Sequence, residues 1–140
     1  MIAVERIRNV DIFQGLKDEE LKVASQYCQE ERVPSGTTLC EEGARADKLF
    51  ILEEGTVSVE FKKGVHFEIH GPGKILGWSF LVPPNRYTAS AVTVTPSKLL
   101  TIKSPDFYEL VHKEAKMGLK IMDNLSQVVS GRLKAFVDIH

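Results

Sequence analysis

Several things that usually announce a function are scarce in this 140-residue chain. There are two cysteines, Cys28 and Cys40, too few for a disulfide framework and lacking the CxxC spacing of a metal or redox site. A reduced, cytoplasmic protein is therefore expected. No apolar run approaches the roughly 18 residues of a membrane span, and the N-terminal MIAVERIRNV is too charged for a secretion signal. Charge of one sign is missing as well. Eighteen Lys and Arg against 19 Asp and Glu leave a net charge of −1, which gives no electrostatic case for nucleic acid or an anionic membrane as a partner. GxSxG, HExxH and P-loop patterns do not occur, and Ser and His do not recur near an acid at a catalytic spacing. No enzyme is expected.

What is present is a change of pattern along one domain, 1–140, without repeats or low-complexity linkers. Helical signals occupy 1–28. Residues 3–9 read as a short helix ahead of a DIFQGL turn. Leu16 and Leu21 then bracket a helix start at Lys17, with Asp18, Glu19 and Glu20 in the first turn, where the dipole favours negative charge. From 29 to 103 the chain becomes short strands separated by Gly and Pro turns, expected at 29–33, 37–41, 48–52, 56–62, 65–70, 86–94 and 98–103. That is the pattern of a sandwich or jelly roll. In TVSVEF, Val57, Val59 and Phe61 point inward and Thr56, Ser58 and Glu60 outward. His66, Glu68 and His70 share the outer face of the next strand, where successive side chains diverge, so no metal site is expected. The fold class is mainly β with flanking helices.

The stretch Pro72–Ala91, PGKILGWSFLVPPNRYTASA, carries the chemistry. A glycine turn leads into a segment, Leu76–Val82, too short for an ordinary helix. A Pro83-Pro84-Asn85 break follows, and Arg86 stands on the lip of an alternating exit. Backbone N–H groups at such a turn favour an anion, Arg86 could add a guanidinium fork, and Ser79, Thr88 and Ser90 add hydroxyls. Between Ile69 and Pro105 there is no Asp or Glu, where about five would be expected by proportion, but there are Lys74, Arg86, Lys98 and Lys103. Composition leaves two readings open, a small anion pocket or an ordinary buried sheet segment that excludes charge.

The order of these pieces, FILEEGTVSV, then PG, LGWSFL and PPNRYTASA, resembles the cyclic nucleotide-binding domain family, as a CRP/FNR-like sensor domain without its DNA-binding domain. The resemblance runs from DIFQGL through Gly36, Glu42-Gly43, Asp47 and Glu54-Gly55 to a terminal helix. It implies a double-stranded β-helix or jelly roll (the cNMP-binding β-roll) over 29–103, and a ligand held by Gly77, Trp78, Ser79, Phe80, Arg86, Tyr87 and Thr88. Gly77 matches the family's cassette glycine, Arg86 the arginine that pairs with the cyclic phosphate, and Thr88 and Ala89 the small residues after it. One position departs. Trp78 stands where the family has a glutamate that accepts the ribose 2′-OH, and loss of a charged acceptor costs about 1.5–3 kcal/mol. The ligand is then a cyclic nucleotide bound weakly or another anionic small molecule. The alternative is a degenerate dimeric interaction module, its pocket plugged by Trp78.

C-terminal helices occupy 104–140. Ser104-Pro105-Asp106 reads as a helix start with Ser as cap. On a helical wheel the long helix 114–137 places Leu119, Met122, Leu125, Val129, Leu133, Phe136 and Val137 in one arc. Ile121, Val128 and Ile139 widen that arc beyond a two-helix seam. Arg132 falls inside it and needs a partner or an edge position. A homodimer through this helix is expected, with the helix also closing over the ligand as the resemblance implies. The chain stops at His140 without a basic recognition helix, so direct DNA binding is not expected.

Overall fold

A computed structural model describes residues 2–139, with side chains through 134. Eight strands form two four-stranded antiparallel sheets. The first has the order β1 (Gln29–Val33), β8 (Ser97–Lys103), β3 (Lys48–Glu54), β6 (Lys74–Leu76). The second has the order β2 (Thr38–Cys40), β7 (Ser90–Thr93), β4 (Thr56–Glu60), β5 (His66–His70). This is the expected jelly roll, flanked by α1 (Val4–Ile7) and α2 (Asp18–Ser25) on one side of the chain order and by α3 (Ser104–Lys113) and α4 (Ala115–Ile139) on the other.

The first sheet is apolar on both faces. Leu49, Phe50, Ile51 and Leu52 are consecutive on β3 and all buried, as are Leu99, Leu100 and Ile102 on β8. A strand buried on both faces loses its alternation and needs cover on each side. The second sheet lines one side; on the other, α3 packs on β8 and the 3₁₀ turn Asp11–Phe13 on β6, with α4 lying over that turn and α3. Arg6 of α1 joins the helical layer to that sheet, its guanidinium donating to the carboxylates of Glu30 on β1 and Glu53 on β3. These are charge-assisted bonds of the stronger kind.

Three details differ from the pattern in the sequence. β6 was not expected, because three residues between glycine turns are too few to show alternation. The strand expected from 86 begins at Ser90, and Arg86 makes only an isolated bridge to Arg45. Ser58 is buried, flanked across the sheet by Glu68 and Val92 on a central strand. Helix starts also repay inspection. Lys17 caps α2 as anticipated, and its N–H donates to the Glu20 carboxylate at 2.8 Å. Ser104, however, is the first helical residue rather than the cap, because its N–H is taken by the Asp47 carbonyl at 2.8 Å.

The long helix α4 divides its apolar arc. Met117, Ile121 and Leu125 are buried against the protein, whereas Leu119 and Leu133 are 63% and 62% exposed. Phe136, Val137 and Ile139 lie outside the residues whose side chains are described. Asn124 locks the helix over the DIFQGL turn, its amide donating to the carbonyls of Ile12 at 3.0 Å and Gln14 at 2.8 Å. Near the start of α4, Gly118 lets α3 approach closely, for a Cβ there would lie 1.9 Å from the Val111 carbonyl oxygen. We predict that Gly118→Ala, a change that helix propensity alone favours by about 1 kcal/mol, destabilises the protein by about 1–3 kcal/mol through overpacking. Chemical denaturation measures it, and an unchanged midpoint would show that the crossing is looser than described.

Candidate functional site

The site is built where β6 turns toward β7. Gly77 has φ of 86°, the left-handed region open to glycine, and a Cβ there would press on the Phe50 ring at 3.1 Å and the Lys48 carbonyl at 3.2 Å. From it the chain enters the one-turn 3₁₀ helix Trp78–Leu81, in agreement with the short segment read from the sequence. The following loop is fastened by Asn85. Its side-chain amide donates to the Phe80 carbonyl, and its own carbonyl accepts the Ala46 N–H.

Tyr87 then enters the interior. Its buried phenol oxygen accepts the N–H groups of Asp47 and Lys48 at 3.3 Å each and donates to the Lys48 carbonyl at 3.0 Å. This ties the cassette loop to the start of β3, across the two sheets. Burial pushes the phenol pKa up to about 12, against the opposing effect of the Asp47 and Lys48 backbone bonds.

Between the second sheet, this turn and α4 lies a cavity of about 350 Å³, within the range of small-molecule sites. All four strands of that sheet contribute to its wall, with Cys40, Val59, Phe67 and Ala91. Cys40 is an apolar presence here, since burial pushes its thiol up to about 11. From α4 come Val129, Arg132 and Leu133.

Of the residues expected to hold a ligand, Gly77, Trp78, Ser79, Tyr87 and Thr88 meet at this cavity. Phe80 does not line it. It is buried on the other side, with its ring edge-on to Phe107 at 5.5 Å and near Tyr108 at 6.1 Å. Arg86 does not line it either. It is exposed, and its Nη1 donates to the Gly43 carbonyl at 2.9 Å. The clamp read from the lip of the turn therefore faces outward, because the isolated bridge to Arg45 orients that residue away from the sheet interior. Nor does Trp78 plug the hollow. It is half-buried, and it forms part of the wall.

The guanidinium at the cavity belongs to Arg132 of α4. Its Cζ lies 5.1 Å from the centroid of the Trp78 ring, and its Nη2 is buried with no hydrogen-bond partner. Burial lowers the Arg132 pKa from its usual value, while the charge of Asp11 opposes the shift. An arginine keeps its charge near neutrality regardless. Asp11, on the 3₁₀ turn beneath, has its pKa raised by burial, opposed by the Arg132 charge and by the Ile12 and Ile75 N–H bonds. Among the described residues no ion pair joins the two, and Asp11 Oδ1 is also unpartnered. The wheel had one signal for Arg132, a charge within an apolar arc. It could not say that the facing surface was a cavity. On β5, His70 Nδ1 lies 2.9 Å from the Thr56 hydroxyl, while His66, Glu68 and His70 are exposed on the outer face. Among the described residues no three such groups converge on a metal position.

We expect Tyr87→Phe to cost about 1–3 kcal/mol, since it strips partners from partly buried backbone groups of Asp47 and Lys48. The protonated phenol contributes stability in full below the ordinary tyrosine value of about 10, and that contribution is lost as pH rises through about 12. Spectrophotometric titration should show a late-ionising tyrosine that disappears in the variant. A titration identical in the two proteins would refute the buried bond.

A family model described as "Cyclic nucleotide-binding domain" matches residues 30–114. A solved structure of a candidate cyclic nucleotide-binding protein from Geobacter metallireducens GS-15 superimposes with a TM-score of 0.82 at 32% identity, covering 95% of this chain and 99% of that one. The cyclic nucleotide-gated potassium channel mll3241 of Mesorhizobium japonicum is 31% identical over 101 residues, 72% of this chain and 28% of the channel. Glutaminase 2 of Bradyrhizobium diazoefficiens is 28% identical over 120 residues, 86% of this chain and 19% of that protein. The chain thus spans a minor part of the length of these two relatives. With its two sheets, its cassette turn and its terminal helix in place, this chain belongs to the cyclic nucleotide-binding domain family.

Proposed function

We propose that the chain is a non-enzymatic sensing module that binds an anionic small molecule in the 350 Å³ cavity and reports occupancy through α4. One observation carries this reading. The cavity wall is shared between the rigid sheet with its 77–79 turn and the movable element that would transmit a signal, since Val129, Arg132 and Leu133 of α4 line it. A ligand there has different contacts when α4 is docked and when it is displaced, and such a difference in affinity is what shifts a two-state equilibrium. The exposed Leu119 and Leu133 support α4 as the contact between two copies.

The outward Arg86 favours the second reading, a module that pairs with another chain without a ligand. Calorimetry across cyclic mononucleotides and simple organic acids, with hydrogen exchange along α4, separates the two. Saturable heat and slowed exchange around residues 125–133 are expected, and Arg86→Ala should leave both unchanged. Absence of heat for every probe would leave the ligand-free module. The dimer has its own measurement, in which sedimentation at micromolar concentration should show two copies and Leu119→Lys should shift the population to monomer. A wild-type chain that sediments as a monomer throughout would remove the shared helix from the proposal.

A further inference from the structure

We infer that the cavity selects an aromatic carboxylate over a cyclic nucleotide, with the acid on the Arg132 guanidinium and the ring between Phe67, Val59 and Leu133. The inference rests on the cavity being a ligand site and names the class of ligand it takes.

Three observations carry it. First, the cavity wall holds one described cation. Arg132 has a buried Nη2 donor without a partner, and its flat face is backed by the Trp78 indole. Stacking on one face leaves the guanidinium edge free for a planar acid, the geometry a carboxylate matches best. A single guanidinium balances one negative charge, which a carboxylate and a cyclic phosphodiester both carry, so the discrimination between them comes from the rest of the wall.

Second, the rest of the wall is poor in groups that a nucleotide needs. No carboxylate lines it to accept a sugar hydroxyl. Of the polar side chains that remain, the Tyr87 phenol is turned to Asp47 and Lys48 and the Ser90 oxygen accepts the Glu42 N–H at 2.9 Å, which leaves a few hydroxyls, those of Ser79, Thr88 and Ser90, to meet a ligand. A ribose and the polar edge of a base would be buried there with few partners, whereas an aromatic hydrocarbon loses nothing. Third, Arg86 is held outside by the Gly43 carbonyl, so the phosphate-pairing role has no occupant on the β7 side. Asp11 approaches Arg132 from the turn beneath without an ion pair between them.

The chain's one tryptophan is Trp78, so its emission reports directly on the cavity. The test titrates the whole chain with 3-phenylpropionate, its uncharged amide, cyclic AMP and cyclic GMP. In the wild type the acid should outbind the amide by about ten-fold or more. Arg132→Met should abolish that preference and leave amide binding as it was. Arg132→Lys, which retains the charge without the fork, should restore part of it. An amide bound as tightly as the acid, or a preference that survives Arg132→Met, overturns the assignment of Arg132. A cyclic nucleotide that binds more tightly than the acid overturns the ligand class while leaving the cavity as the ligand site. If none of the four probes changes Trp78 emission or gives heat, the reading of the cavity as a ligand site falls with it.

Discussion

A strand pair without a wet face governs this architecture. β3 and β8 run side by side through the middle of the first sheet, and their central residues, Leu49–Leu52 and Leu99–Ile102, are buried without a break. Each face must be covered, one by the second sheet and one by helices, because exposing either returns a row of Leu, Ile and Phe to water at about 25 cal/mol per Å². The requirement explains why elements from both ends of the chain gather on the same side. α1 is tied there through Arg6, and α4 through Asn124 to the DIFQGL turn. It also fixes where a hollow can survive. On the second sheet, residues as small as Cys40 and Ala91 line the wall and leave room opposite α4.

Within that hollow the balance of charge has moved. A binding site can keep its backbone while exchanging the groups that read the ligand, because the turn geometry depends on Gly77 and Asn85, and recognition depends on side chains that project from it. Here Trp78 supplies an aromatic wall, Tyr87 gives its hydroxyl to the scaffold, and the guanidinium arrives from α4. Among the described residues the one cation lining the cavity sits on the helix rather than on the sheet. Under the proposed function, a ligand's charge would act on α4 while the sheet contributed shape. An unpartnered buried donor is costly in the absence of a partner, so Arg132 stores a preference for whatever brings an acceptor.

Much of the fold was legible beforehand, and particular residues show why. β1 was read at its observed limits, and Lys17 was placed correctly at the start of α2, because alternation and an acidic first turn are local signals. β6 escaped because three residues between glycines carry no period. Leu119 and Leu125 share one apolar arc on the wheel, yet Leu125 is buried and Leu119 exposed, since a wheel ranks angles and cannot know which sector meets the protein. Five of the seven expected ligand contacts gather at the cavity. Phe80 and Arg86 do not: the 3₁₀ turn sends Phe80 into the core against Phe107, and Arg86 lies exposed beside the Gly43 carbonyl, directions that spacing does not encode.

Residue order by itself determined the strand-rich middle, the helical ends, the glycine-led turn and the family likeness, since each rests on interactions between residues close in the chain. Which guanidinium reaches the cavity was decided only in three dimensions. Arg86 and Arg132 are 46 positions apart, and nothing local to either records that one faces the Gly43 carbonyl while the other lies on an indole. That choice follows from the packing of α4 across the β-roll, a long-range arrangement made by burial rather than by sequence pattern.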